Sequence, residues 1–149
     1  MTHEFEGLKG RHITNYARGH YSHDNNDAFY IEVDGVDVYR MTHHQDCCES
    51  VTLSDISGDM DDLLNEEILL AKESYRDDSN DDGTLMYTFY RLQSMHGDVT
   101  LLWDGSSNGY YGVDVSFDQV QDLDEIKAIP WAKVCQEVKS NRLFLYDEV

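Results

Sequence analysis

Positive charge is scarce in this sequence: eleven Lys and Arg stand against thirty Asp and Glu, a formal net charge of −19. Affinity for nucleic acid comes mostly from neutralising phosphates, so this balance argues against direct nucleic-acid binding. Lys9, Arg11 and Arg18 are the nearest thing to a basic stripe. Long apolar runs are missing too. No segment reaches the roughly 18–20 apolar residues a membrane helix needs. The N-terminal Met1-Thr2-His3-Glu4-Phe5 lacks the charged-then-apolar layout of a signal peptide. Cysteine appears three times, at Cys47, Cys48 and Cys135. An odd count without framework spacing fits a reducing cytosol. Proline occurs once, at Pro130, and no linker, internal repeat or heptad pattern divides the chain. Phosphate-binding loop, dinucleotide fingerprint, nucleophile elbow and zincin motif are absent. A non-enzymatic protein without a cofactor is therefore expected.

What is present is a chain of 149 residues, most simply one domain over 1–149. That length can bury a sizeable core without metal or disulfide staples. With 40% hydrophobic and 11% aromatic residues, it is not a disordered polyanion. Tyr is the dominant aromatic, with ten copies, and it packs a ring while keeping its hydroxyl near water. The charge is unevenly spread. Between Tyr21 and Asp82, eighteen Asp and Glu face only Arg40, Lys72 and Arg76. A field concentrated in this way attracts basic protein surfaces and repels nucleic acid and anionic membranes.

The clearest local signal is a hairpin. Ala28–Val33 and Val36–Met41 flank Asp34-Gly35, a pair suited to a tight two-residue turn with positive φ at both positions. A short strand is expected at Val51–Leu53, and a helical turn over Asp59–Leu64, with carboxylates where the dipole favours them. Ile68–Tyr75 reads as a strand and Asp77–Gly83 as a polar loop. Thr84–Leu92, Val99–Trp103 and Tyr110–Phe117 then follow as three strands of a meander. Pro130 opens a helix expected to run to Ser140, and Arg142–Tyr146 reads as a final strand or docked tail. The expected class is α+β: a predominantly antiparallel β-meander of about five to seven strands with one or two short helices.

Three stretches could carry function. His43, His44, Asp46, Cys47 and Cys48 are metal-ligand types, with His20 and His23 upstream. No second ligand half accompanies them, and adjacent cysteines on an extended chain point to opposite faces. Packing and hydrogen bonding are the stronger reading there, with a metal-stabilised protein as the alternative. A nucleophilic Cys47 or Cys48 is disfavoured by Asp46 and Glu49, which oppose thiolate formation. The turn Ser107-Asn108-Gly109 leads into Tyr110 and Tyr111, and an exposed Tyr can anchor a partner. The carboxylates Asp59, Asp61, Asp62, Glu66, Glu67, Glu73, Asp77, Asp78, Asp81 and Asp82 form the third candidate. If they share one rigid surface, they can fill the basic groove of a nucleic-acid-binding protein.

The run Gln45-Asp46-Cys47-Cys48-Glu49, then Gly58-Asp59-Met60-Asp61-Asp62-Leu63, Ile68-Leu69-Leu70-Ala71 and Ser107-Asn108-Gly109-Tyr110-Tyr111, resembles a group of small functionally uncharacterised proteins encoded by bacteriophages and prophages. The resemblance covers about residues 28–118 and leaves 119–149 as a C-terminal extension. It implies action in the cytoplasm of a bacterial host, where small acidic phage proteins often bind and neutralise defence machinery. The expectation is thus an accessory protein that binds and inhibits a basic, nucleic-acid-handling host protein, with nucleic-acid mimicry by its acidic face as one way to do so. A homo-oligomeric structural or replication component is the other alternative.

Overall fold

The computed structural model describes residues 4–133. The strands are β1 (Ile13–His20), β2 (Asp27–Val33), β3 (Asp37–Thr42), β4 (Ser50–Ser57), β5 (Leu70–Asp77), β6 (Thr84–Gln93), β7 (Asp98–Ser107) and β8 (Ser116–Gln119). One short helix follows, α1 (Leu123–Lys127), and 3-10 turns occupy Glu6–Leu8 and Met60–Leu63. The strands form two four-stranded sheets, ordered β1-β2-β3-β8 and β4-β7-β6-β5, and every strand pair is antiparallel. The expected antiparallel β architecture is present, but the helical share is smaller than an α+β class implies. The fold is closer to all-β. Its apolar residues repeat mostly with period two, which suits strands packed face to face.

The hairpin forms as a β2–β3 pair with one difference. Asp34 and Gly35 both take positive φ, 56° and 69°, and the Val33 carbonyl accepts from Val36 N–H at 3.1 Å. Val36, however, belongs to the turn and is 78% exposed, so Val33 pairs with Asp37. The ladder therefore begins one residue later than the alternation suggests.

Strands β5, β6 and β7 form a continuous meander, as expected. The next strand does not. Tyr110–Val115 has no ladder partner, and only Ser116–Gln119 is extended, paired to β3 in the other sheet. The reason is topological. The chain leaves the first sheet between β3 and β4, and it must return between β7 and β8. Residues 108–115 are that return crossing.

The core lies between the sheets. Phe29, Ile31, Val33, Met41 and Phe117 from the first meet Leu53, Tyr90, Leu92, Leu101 and Trp103 from the second. Strands β2 and β3 are buried on their other face as well. There Ala17, Ala28, Tyr30, Val38, Val120 and Ile129 make a second cluster, with Ile126 and Trp131 against it. The sequence missed α1, which covers this face; Asp122 caps it by accepting from Asp124 N–H at 2.9 Å. The helix expected from Pro130 is absent over 130–133. Ala132 N–H instead donates to the Tyr16 carbonyl at 2.8 Å, laying the chain along the β1 edge. The remainder of that expected helix, and Arg142–Tyr146, lie outside the described residues. Among the described residues no helix is long and apolar enough to cross a membrane.

Candidate functional site

Both crossings between the sheets lie at the same end of the sandwich. Ser50 pairs with Ser106 while Thr42 pairs with Ser116, so the 43–49 and 108–115 segments turn the corner side by side. A chain at such a corner loses its ladder, and its backbone polar groups need other partners. Glu49 supplies them. Its side chain is 0% exposed. Oε2 accepts from His43 Nε2 at 2.8 Å and Asp46 N–H at 2.7 Å, and Oε1 accepts from Cys47 N–H at 2.9 Å. Gln45 braces the other side, donating to the Glu49 carbonyl at 2.6 Å and accepting from Asn26 Nδ2 at 2.8 Å. The second ring nitrogen of His43 meets the Asp114 carbonyl at 2.6 Å, tying one crossing to the other.

Burial pushes the Glu49 carboxyl up, but hydrogen bonds from His43, Cys47 and Asp46 outweigh it and lower it from 4.5 to about 2. Because Glu49 titrates below its ordinary value in the fold, its contribution is complete above about pH 4.5 and fades as pH falls toward about 2. Glu49→Gln should thus be less stable than the parent at neutral pH. Urea unfolding of both proteins from neutral to acid should show that gap closing within that window; a gap that stays constant would show that Glu49's charge is not the cause.

Of the side chains of the metal alternative, this brace takes up that of His43. His43 has both nitrogens engaged, His44 points outward with Asp118 at 3.7 Å, and Asp46 is exposed. Cys47 and Cys48 are joined to each other as a vicinal disulfide. Their sulfurs therefore share one side, unlike the opposite faces expected of an extended chain. Among the described residues, no three His, Cys, Asp or Glu side chains converge as metal ligands would. His20 and His23 line a different feature, described below.

The acidic residues divide into two groups. Asp59, Asp61, Asp62, Glu66 and Glu67 precede β5, Glu73 lies within it, Asp77 ends it, and Asp78, Asp81 and Asp82 follow. The eight residues of β5 separate these groups by roughly 25 Å at the usual rise per residue. Several of these carboxylates have local work. Asp59 accepts from Asp61 N–H at 2.9 Å. Asp61 accepts from Tyr16 at 2.7 Å and Lys133 at 3.0 Å, and those two partners hold its carboxyl below the usual range. Glu66 faces His96 at 3.5 Å. Glu73 accepts from Tyr75 at 2.6 Å and Tyr90 at 3.3 Å; its bond pushes Tyr75 up to about 12. Asp77 accepts from Ser79 N–H at 2.9 Å, and Asp78 pairs with Arg76 at 3.3 Å.

The second acidic group is brought to the corner. A Cβ on Gly83 would strike the Ser107 carbonyl and approach Asn108, so the 78–83 loop packs directly on the 107–109 turn. Ser107 Oγ accepts from Gly109 N–H at 3.1 Å and Asn108 Oδ1 from Tyr110 N–H at 3.0 Å. This turn presents Tyr110, 82% exposed, with Tyr111 edge-on to it at 4.9 Å. Asp78, Asp81, Asp82, Tyr110 and the 43–49 loop thus share one end of the sandwich.

Sequence reasoning missed one further cluster. On the outer face of the first sheet, Arg40 Nη1 donates to both Glu125 oxygens at 2.8 and 2.7 Å, and Tyr30 donates to Oε2 at 3.0 Å. The Arg40 guanidinium stacks on Tyr21 at 4.2 Å. Beside it lies a cleft of about 340 Å³ bordered by His20, His23, Tyr30, Asp122 and Glu125. Partners 85 residues apart leave no local signal to find.

No curated protein and no solved structure matches this chain. A family profile described as a domain of unknown function, DUF7448, matches residues 6–117. That span takes in β1 and the first 3-10 turn as well as both crossings, and it ends within β8, leaving α1 outside it. The chain belongs to the DUF7448 family.

Proposed function

We propose that this is a non-catalytic binding protein whose corner end docks on a basic partner. One observation carries the reading: Gly83 seats the 78–83 loop on Ser107 and Asn108, so Asp78, Asp81 and Asp82 share one end of the sandwich with the exposed Tyr110. Loops fixed to a rigid sandwich are where binding residues commonly sit, and Tyr is a frequent hot-spot anchor. The carboxylates steer encounter and Tyr110 supplies apolar contact. The partner class that fits is a nucleic-acid-handling protein with a basic groove, and the setting we propose is the cytoplasm of a bacterial host. Mimicry in this form is local. Lys72 and Arg76 interrupt the carboxylates along β5, which confines the mimicry to the loop at the corner.

The test is capture from bacterial lysate at low salt with elution by a salt gradient. The natural sequence is run beside Asp78→Asn/Asp81→Asn/Asp82→Asn. The expected result is one basic nucleic-acid-binding protein, released by salt and lost with the variant, because steering charges raise association about tenfold or more. Equal capture by both proteins would contradict the reading.

A further inference from the structure

We propose that Cys47 and Cys48 are a thiol-exchange site, a solvent-facing pair that cycles between vicinal disulfide and dithiol with a thiol compound as co-reactant. The disulfide joins neighbours in sequence. The entropic stabilisation a disulfide gives grows with the loop it closes, and here the loop is as short as it can be. The corner does not need it, since Glu49, Gln45 and His43 already fix the segment through hydrogen bonds. Nor does the core, which lies between the sheets and contains neither sulfur. The bond is thus not a staple, and both cysteines are exposed, where an attacking thiolate can reach them.

The reaction balances without further reagents. A thiolate attacks one Sγ, the Cys47–Cys48 bond breaks, and a mixed disulfide forms while the other sulfur leaves as thiolate. A second thiol of the reductant resolves that mixed disulfide. Two electrons and two protons pass to the pair, and the reductant departs as its own disulfide. Glu49 holds the Cys47 backbone N–H, so the sulfurs exchange on a loop whose path is set elsewhere. Asp46, exposed beside them, makes the site anionic.

The experiment uses the full chain equilibrated in glutathione buffers from oxidising to reducing, blocked with iodoacetamide, and cleaved with trypsin. The peptide spanning 41–72 contains Cys47 and Cys48 but not Cys135, so its mass reports this pair alone. Two species are expected, with neither or both cysteines alkylated, interconverting reversibly as the buffer changes. The kinetic signature is charge-dependent: the attacking thiolate of cysteamine is a zwitterion without net charge and that of 3-mercaptopropionate a dianion, so added salt should speed reduction by 3-mercaptopropionate and leave reduction by cysteamine nearly unchanged. A pair that is alkylated in every buffer, one that resists reduction until the protein unfolds, or cysteines that alkylate singly or link to Cys135 would overturn the proposal. So would a salt effect of equal size for both reductants.

Discussion

Trp103→Ala is expected to remove about 3–5 kcal/mol of stability, the range for emptying a buried Trp site. Trp103 stands on β7 between Leu53 of β4 and Thr88 of β6, 1% exposed and aimed into the shared core. Its loss opens a cavity that two hydrogen-bonded sheets cannot collapse to fill. Against a typical domain stability of about 5–15 kcal/mol, this is a large fraction, and it should lower the melting temperature by roughly 6–20 °C. Trp103 Nε1 also lacks a hydrogen-bond partner. Trp103→Phe keeps much of the ring and removes that orphan donor, so it should cost far less than Ala. Calorimetry on the three proteins checks the order. Equal losses for Ala and Phe would mean that something other than ring volume matters at this position.

The second large effect concerns Arg40 and Glu125, whose side chains are only 9% and 11% exposed. Glu125→Ala leaves the guanidinium buried without its counter-charge, and its Nε already has no partner. Breaking one side of such a pair costs about 3–5 kcal/mol. Replacing both partners by apolar residues, Arg40→Met with Glu125→Met, should recover most of that loss, because no stranded charge remains. A double-mutant cycle from denaturant unfolding measures the coupling. Additive losses would show that the two side chains do not act as a pair. The pair also anchors α1, which lies beyond the span shared with the DUF7448 family, to β3 within it. Glu125→Ala should therefore loosen the cover over Tyr30, Val38 and Ile129 before the main core yields.

Strands and turns with local chemistry were legible in the sequence. Asp34-Gly35 set the hairpin, the strand-like run Thr84–Leu92 marked β6, and the helical turn expected over Asp59–Leu64 is present as the shorter 3-10 turn Met60–Leu63. The corner was not legible. Tyr110–Phe117 has strand-like composition, and only the return of β8 to pair with β3 forces its first residues out of the ladder. Gln45 and Glu49 looked like part of a ligand-rich stretch. Their work is to satisfy backbone groups where the sheets are bridged, a need that exists only once both crossings are known. For the same reason the acidic run seemed one feature, although β5 lies between its halves. The Gly83 contact with Ser107 and Asn108 brings Asp78, Asp81 and Asp82 to the same end of the sandwich as Tyr110, and no spacing along the chain foretells that.

The most direct measurement compares two charge-matched variants against the captured partner over a range of salt. Asp78→Asn/Asp81→Asn/Asp82→Asn neutralises the corner; Asp62→Asn/Glu66→Gln/Glu67→Gln removes the same charge from the opposite end. If the corner end is the docking surface, the first weakens association about tenfold or more and flattens its salt dependence, whereas the second stays within about twofold. Equal losses from both would contradict the account, since binding would then follow total charge and no particular surface of the sandwich.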